Sequence, residues 1–439
     1  MKRLLTILIL TGASLTHLTA QTNNSPYSIL GIGDLMDNYY GRTSGLANTG
    51  FAYRSSWYLI NNNPASYSSI DNDMYYGEVG GVAKFVNYYG ANVNIDANQS
   101  FDITFKKLVL GIKPTKHWGT SFGLLPFSSQ YYQFNQPVLA GSGNSPIANL
   151  SFNGSGGVNR VYWANAYEFF HHVSIGVDLS YLFGSLQQQL ILQDPNVGSE
   201  FSSTLNNVYL SSPYITYGLQ VYGKIGKKIE YSLGGTFSTK TGMTASLSQI
   251  VRAPDSAVLY SGNFPNTTFT LPTTIGAGFM ITYNHKYRFL GDYKFENWAS
   301  AGNPNSSNNW QNNGGSILNT GGFLYQFQNS ERISAGFELS NLKTLSTGQS
   351  NVLYESSFYQ AGFYYTDTYL YVYGQPIRDI GATLGLGVNS KRSRLSYLIS
   401  AQYGVKGESS VQLIKEKYLQ FNIAFSYRDA WLTKGRKFF

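Results

Sequence analysis

The chain has 439 residues, of which only 12% are charged and 16% are aromatic, with no cysteine and a net charge of +8. Ordinary soluble chains carry about 25% charged residues, and a chain this poor in charge, with no late apolar stretch long enough to span as a helix, can still cross a membrane as a closed sheet. The lack of cysteine excludes disulfides and thiol chemistry, while the positive excess falls in turn and tail residues such as Lys391, Arg392, Arg394, Lys434, Arg436 and Lys437, which argues against a nucleic-acid partner.

The chain begins Met1-Lys2-Arg3, continues apolar from Leu4 to Leu10 and reaches Leu18-Thr19-Ala20. This reads as a secretory signal peptide over residues 1–20, too short in its apolar core to span a bilayer. Export followed by membrane strands places the mature chain in the outer membrane of a Gram-negative bacterium.

Residues 21–73 are rich in Asn, Ser, Gly and Tyr and lack sustained alternation. Gly31-Ile32-Gly33-Asp34 and Asn61-Asn62-Asn63-Pro64-Ala65 read as turns and short helical starts. Tyr27, Ile29, Leu30, Leu35, Phe51, Trp57 and Tyr58 are too many apolar anchors for a linker. The segment is therefore expected to fold as a hatch inside the lumen, with Gly31, Gly33, Asp34, Asn61, Asn63, Pro64 and Ala65 as its gating candidates. Gly31-Ile32-Gly33 is no nucleotide loop, since the third glycine and the strand-helix context are missing.

From residue 74 to the C-terminus, period-two alternation recurs. Phe101, Ile103 and Phe105 alternate, and Leu108, Leu110 and Ile112 resume on the other parity; one extra residue near Lys106-Lys107 restores the facing as a β-bulge, expected near the periplasmic end. Val173 to Phe183 alternates with only Leu182 out of phase. Ile229, Tyr231, Leu233 and Phe237, then Ile333 to Leu339 and Leu419 to Tyr427, repeat the pattern.

A soluble sandwich alternates too, but three features favour a membrane barrel. Val173 to Phe183 has the length of a tilted spanning strand. Aromatics sit at strand ends, at Tyr75-Tyr76, Tyr88-Tyr89, Trp118, Tyr131-Tyr132, Trp298, Tyr364-Tyr365 and Trp431, as headgroup belts require. Connections alternate between short ones (Lys116 to Trp118, His171-His172, Gly226 to Lys228, Asn284 to Lys286, Asn329 to Glu331, Asn389 to Ser393) and long ones (Gln136 to Gly157, Asp194 to Asn207, Ala253 to Thr268, Ala299 to Gly315), the asymmetry of periplasmic turns and external loops. The expected fold is all-β, a transmembrane antiparallel β-barrel over 74–439 with about fourteen strands, or sixteen if Tyr365 to Ile380 hides a hairpin.

Asp178, Glu230, Asp292, Lys294, Glu296, Glu338 and Arg428 fall on the polar phase and are expected to face the lumen. Their mixed signs favour internal ion pairs over a selective ring. The mature histidines, His117, His171, His172 and His285, all lie at short turns without a second ligand at matching spacing, and no nucleophile-base-orienter motif is present. No catalytic residue, metal or cofactor is expected, and no enzyme.

Asn63-Pro64-Ala65 ahead of the first strand resembles the hatch region of the FadL/TodX family of outer-membrane transporters. So does the stretch from Leu271-Pro272 through Gly276, Gly278, Tyr283, Asp292, Tyr293 and Trp298. Tyr359 to Tyr365, Ile380-Gly381, Gly385-Leu386-Gly387, Tyr403-Gly404, Leu413 to Glu416 and Asp429-Ala430-Trp431 resemble a FadL-like branch of accessory outer-membrane proteins. The resemblance implies fourteen strands, a hatch in the lumen and lateral delivery of apolar ligands. The leading function is uptake of a hydrophobic small molecule by hatch-gated lateral diffusion; the alternative is a non-transporting accessory barrel in an outer-membrane secretion or assembly complex. Expected partners are outer-membrane lipid, a hydrophobic ligand in the first case and proteins in the second.

Overall fold

Alternating strands pair best with one another, because a closed antiparallel ladder satisfies every backbone group while keeping one face apolar. The computed structural model, which describes residues 25–36, 39–90, 98–139, 146–301, 325–346, 351–390, 394–409 and 413–430, closes into such a sheet. The signal-peptide expectation lies outside the described residues. Fourteen strands form the wall: β1 (Met74–Tyr89), β2 (Gln99–Ile112), β3 (Trp118–Ser129), β4 (Pro146–Phe169), β5 (Val173–Gln193), β6 (Glu200–Ile225), β7 (Ile229–Ser238), β8 (Thr274–Tyr283), β9 (Tyr287–Glu296), β10 (Ser330–Ser346), β11 (Asn351–Val372), β12 (Gln375–Asn389), β13 (Leu395–Lys406) and β14 (Lys415–Ala430). β14 pairs back onto β1, from Lys415 opposite Tyr89 to Ala430 opposite Met74. No described helix is long and apolar enough to cross a membrane. Residues 365–380 add no further hairpin to the wall; they hold only the tight Tyr373-Gly374 turn between β11 and β12.

Connections at the rim carrying Met74 and Ala430 are short: residues 113–117, 170–172, 226–228, 284–286, 347–350 and 390–394. Asn329 to Glu331, expected as a short turn, belongs to the opposite rim. The register that sets Glu296 opposite Ser330 makes it the end of the long connection leaving β9. The expected long loops Gln136 to Gly157, Asp194 to Asn207 and Ala253 to Thr268 hold strand, while Ala299 to Gly315 lies outside the described residues after Ala301. Tyr132–Leu139 lies along β4, and Thr241–Arg252, paired with β6, carries Val258–Leu271 beside it. Beyond the hydrocarbon a strand needs no greasy face, so its ladder persists where the alternation fades.

The phase predicts the facing. Leu233 is 54% exposed on the outside and its neighbour Ser232 only 1% exposed, pointing inward. Leu182, out of phase in β5, is buried in the lumenal apolar cluster. The bulge falls at Lys106, since Gly80 faces Lys107 and Gly81 faces Phe105. It lies in mid-strand rather than near the short-turn rim. The expected aromatic belt is halved by the same two-residue period: Tyr75, Tyr89 and Trp118 point outward, while Tyr76, Tyr88, Tyr132 and Tyr364 are buried inside. Trp298 also departs from the belt; it is 1% exposed and stacks on Tyr369 at 4.6 Å within the lumenal cluster.

Candidate functional site: the occupied lumen

Residues 25–36 and 39–71 are mostly buried against the barrel wall, Asn72 and Asp73 being exposed, and the buried backbone has to find partners among protein groups. The segment is built from short 3-10 turns, Pro26–Ile29, Ser44–Leu46 and Pro64–Ser69, and the two-residue strand Asp34–Leu35. Asn63 caps the last turn, its Oδ1 accepting from Ala65 N at 3.0 Å. Its Nδ2 donates to Phe51 O at 2.8 Å and to the wall carbonyls of Leu219 and Gly235. Pro64 occupies the first helical position, where its missing N–H costs nothing.

Glycines in the wall make room for this main chain. A Cβ at Gly234 of β7 would lie 2.0 Å from the Phe51 carbonyl oxygen, and one at Gly176 of β5 would lie 2.3 Å from Ala65 N. The fit is therefore backbone against backbone.

The strongest fastening is ionic. Arg42 Nη2 lies 2.8 Å from Glu338 Oε1 and Nη1 lies 2.7 Å from Glu355 Oε2, with all three side chains almost wholly buried. The guanidinium sits 3.3 Å from the centre of the Phe358 ring. Tyr53 Oη donates to Glu338 at 3.0 Å, Gln360 Nε2 donates to it at 2.6 Å, and Arg288 of β9 bonds the same carboxylate. Two arginines thus face two glutamates, so the cluster is neutral, the condition for burying charge. Elsewhere Lys107 meets Glu78 at 2.6 Å, and Glu78 also accepts from Leu59 N at 3.0 Å. Asp292 accepts from Gly50 N at 2.6 Å and Phe51 N at 3.0 Å. Arg428 lies 3.8 Å from Asp71. The Asp71 carboxyl is pushed above its ordinary range by burial, with the Arg428 charge opposing the shift.

The candidates from sequence are dispersed through this arrangement. Gly31 and Gly33 adopt φ of +61° and +90°. Tyr369 Oη donates to Gly33 O at 2.6 Å, and Asp34 pairs with Lys406 of β13 at 2.5 Å. Asn61 donates to Tyr162 Oη at 2.6 Å. Asp178 is buried opposite Arg160, Lys294 pairs with Glu296 at 2.6 Å, and Glu338 sits at the centre of the clamp. Glu230 lies at the short-turn rim, paired with Lys224 at 2.7 Å, and Arg428 lies at the same rim, opposite Tyr76. Arg42, Glu355, Arg288 and the Lys107–Glu78 pair escape the sequence reading. Only Arg42 left a signal, as one of two basic residues in 21–73.

The wall itself is incomplete on one side. β2 pairs with β3 only from Leu108 opposite Leu124 to Ile112 opposite Thr120. Beyond that point Ser128 and Ser129 of β3 take Leu35 and Asp34 as ladder partners, so the inner segment supplies the strand that β2 does not. A cavity of about 180 Å³ lies beside this opening, bordered by Asp34, Lys84, Asp102, Lys106, Asp379 and Lys406. The same cavity is also lined by Leu35, Met36, Val82, Leu370 and Tyr369, so its surface mixes charge with apolar groups.

The profile of the BamG family matches residues 1–438. No curated protein matches the chain. Among solved structures, the barrel is similar to the Pseudomonas putida toluene transporter TodX, with a TM-score of 0.59 at 14% identity, covering 91% of this chain and 100% of that one. It is also similar to a Pseudomonas aeruginosa FadL homologue, with a TM-score of 0.57 at 12% identity over 89% of this chain and 98% of that one. The Ralstonia pickettii toluene transporter TbuX gives a TM-score of 0.51 at 13% identity over 90% of this chain and 100% of that one. The FadL-type barrel fold expected from the sequence is thus found across the chain.

Proposed function

The chain belongs to the BamG family, and on that premise we propose that it is an outer-membrane barrel sealed by its own N-terminal segment, acting as a non-transporting accessory subunit of an outer-membrane secretion or assembly complex. The observation that carries this reading is the buried Arg42 clamp on Glu338 and Glu355, which fastens the inner segment across the lumen. An apolar ligand that crossed the lumen from rim to rim past the clamp would have to break a buried ion pair, at a cost of about 3–5 kcal/mol. The reading assigns the protein no catalysis. Extraction from native outer membranes in mild detergent tests it: a stoichiometric protein partner that stays through size-exclusion is expected. A barrel that emerges alone, carrying an apolar small molecule by mass spectrometry, would refute it.

A second reading, uptake of a hydrophobic small molecule with sideways release, is favoured by the opening between β2 and β3 and by the fold shared with TodX. Uptake of a labelled aromatic hydrocarbon into cells with and without the protein separates the two.

A further inference from the structure

The four mature histidines are scattered over three short connections in the sequence, but the β3–β4 register brings two of them together. Trp118 pairs with Tyr167, and Glu168 N donates to His117 O at 2.9 Å. His117 and Glu168 thus become neighbours across the ladder. The β4–β5 hairpin turns through Phe170 and His171, both with positive φ, +50° and +57°. That two-residue turn folds His171 back over Glu168, whose Oε1 lies 3.2 Å from His171 Nδ1. Ligand atoms of His117, Glu168 and His171 all lie within 4.8 Å of one another.

We propose that His117, Glu168 and His171 form a divalent transition-metal site, of the zinc class, on the short-turn rim. Two imidazoles and one carboxylate are a recurrent three-ligand set for Zn²⁺ that leaves a fourth position open to water or to a ligand from a partner. Tetrahedral Zn–N bonds of about 2.0–2.1 Å place ligand atoms about 3.4 Å apart. The exposed His171 ring has the freedom to close the remaining gap. His117 Nδ1 is buried and has no hydrogen-bond partner, an uncompensated acceptor or donor that a bound cation would satisfy.

Around the ligands stands an orienting shell. The second oxygen of Glu168 faces Arg54 Nη2 at 3.8 Å. Arg54 is itself held by Gln220 Oε1 at 2.9 Å and lies 3.6 Å from the Tyr222 ring centre. The nearby Lys113 is committed to Ser68 O at 2.6 Å. The inner segment therefore sets a positive charge beside the carboxylate that the rim histidines share, on the side away from them.

The test uses the full mature chain, tag-free in detergent and stripped with a chelator, titrated with Zn²⁺ against a chromophoric competitor. One Zn²⁺ per chain is expected. The double variant His117→Gln, His171→Asn should bind at least tenfold more weakly; asparagine keeps the left-handed turn. Glu168→Gln should weaken binding by about tenfold or more. Co²⁺ should give the strong visible bands of a four-coordinate site in the parent and not in the double variant. Parent-like affinity in the double variant overturns the proposal. If that variant does not assemble, the parent decides alone: absence of a stoichiometric Zn²⁺ or of four-coordinate Co²⁺ bands overturns it.

Discussion

Replacing Arg42 by alanine removes the only cation that bridges Glu338 and Glu355 from the inner segment. The cluster of two arginines and two glutamates becomes one arginine, Arg288, beside two buried carboxylates. One buried negative charge is left uncompensated, and breaking such a pair from one side costs about 3–5 kcal/mol. The loss falls on the attachment of the inner segment, because the ladders of the wall do not involve Arg42. The barrel should therefore assemble and remain heat-modifiable, while urea unfolding shows reduced stability and planar-bilayer recordings show larger or more frequent ion conductance. Adding Glu355→Gln to Arg42→Ala restores neutrality and should recover part of the loss, giving a positive coupling in a double-mutant cycle. A cost below about 1 kcal/mol, the level of an exposed pair, with parent-like conductance, would refute the clamp.

Gly234→Val forces side-chain atoms onto the Phe51 carbonyl. It should raise conductance in the same recordings, whereas Leu233→Met on the outer face of the same strand should change it little. Leu233→Arg puts a charge on the lipid face at about 2–4 kcal/mol, so its folded yield in vesicles should fall well below that of Leu233→Met; equal yields would mean the facing of β7 is wrong. Deleting Lys106 removes the bulged residue and turns Phe101, Ile103 and Phe105 toward the lumen. Folded yield should drop sharply for that deletion and not for Lys106→Ala.

The sequence by itself determined the facing along the strands whose alternation is regular, such as Val173 to Phe183 and Ile229 to Ser238, because side chains alternate with a period of two whatever the strand pairs with. Leu233 and Ser232 could be assigned outside and inside from parity alone, and the break at Lys106-Lys107 announced its bulge. Fourteen strands were also within reach, since closed barrels with both ends at one rim take an even number. Tyr75 and Tyr76, expected together in one belt, are divided by the pleat, Tyr75 facing out and Tyr76 buried. The partners across the lumen lay beyond such reading. Arg42 and Glu338 are 296 positions apart, and Glu355 follows a register shift at Asn341–Leu342 that resets its phase. Nothing local encodes that meeting; it depends on where the inner segment comes to rest among wall glycines. His117 and His171 likewise become neighbours only once β3 and β4 choose their register, since proximity across a sheet is set by pairing and not by distance along the chain.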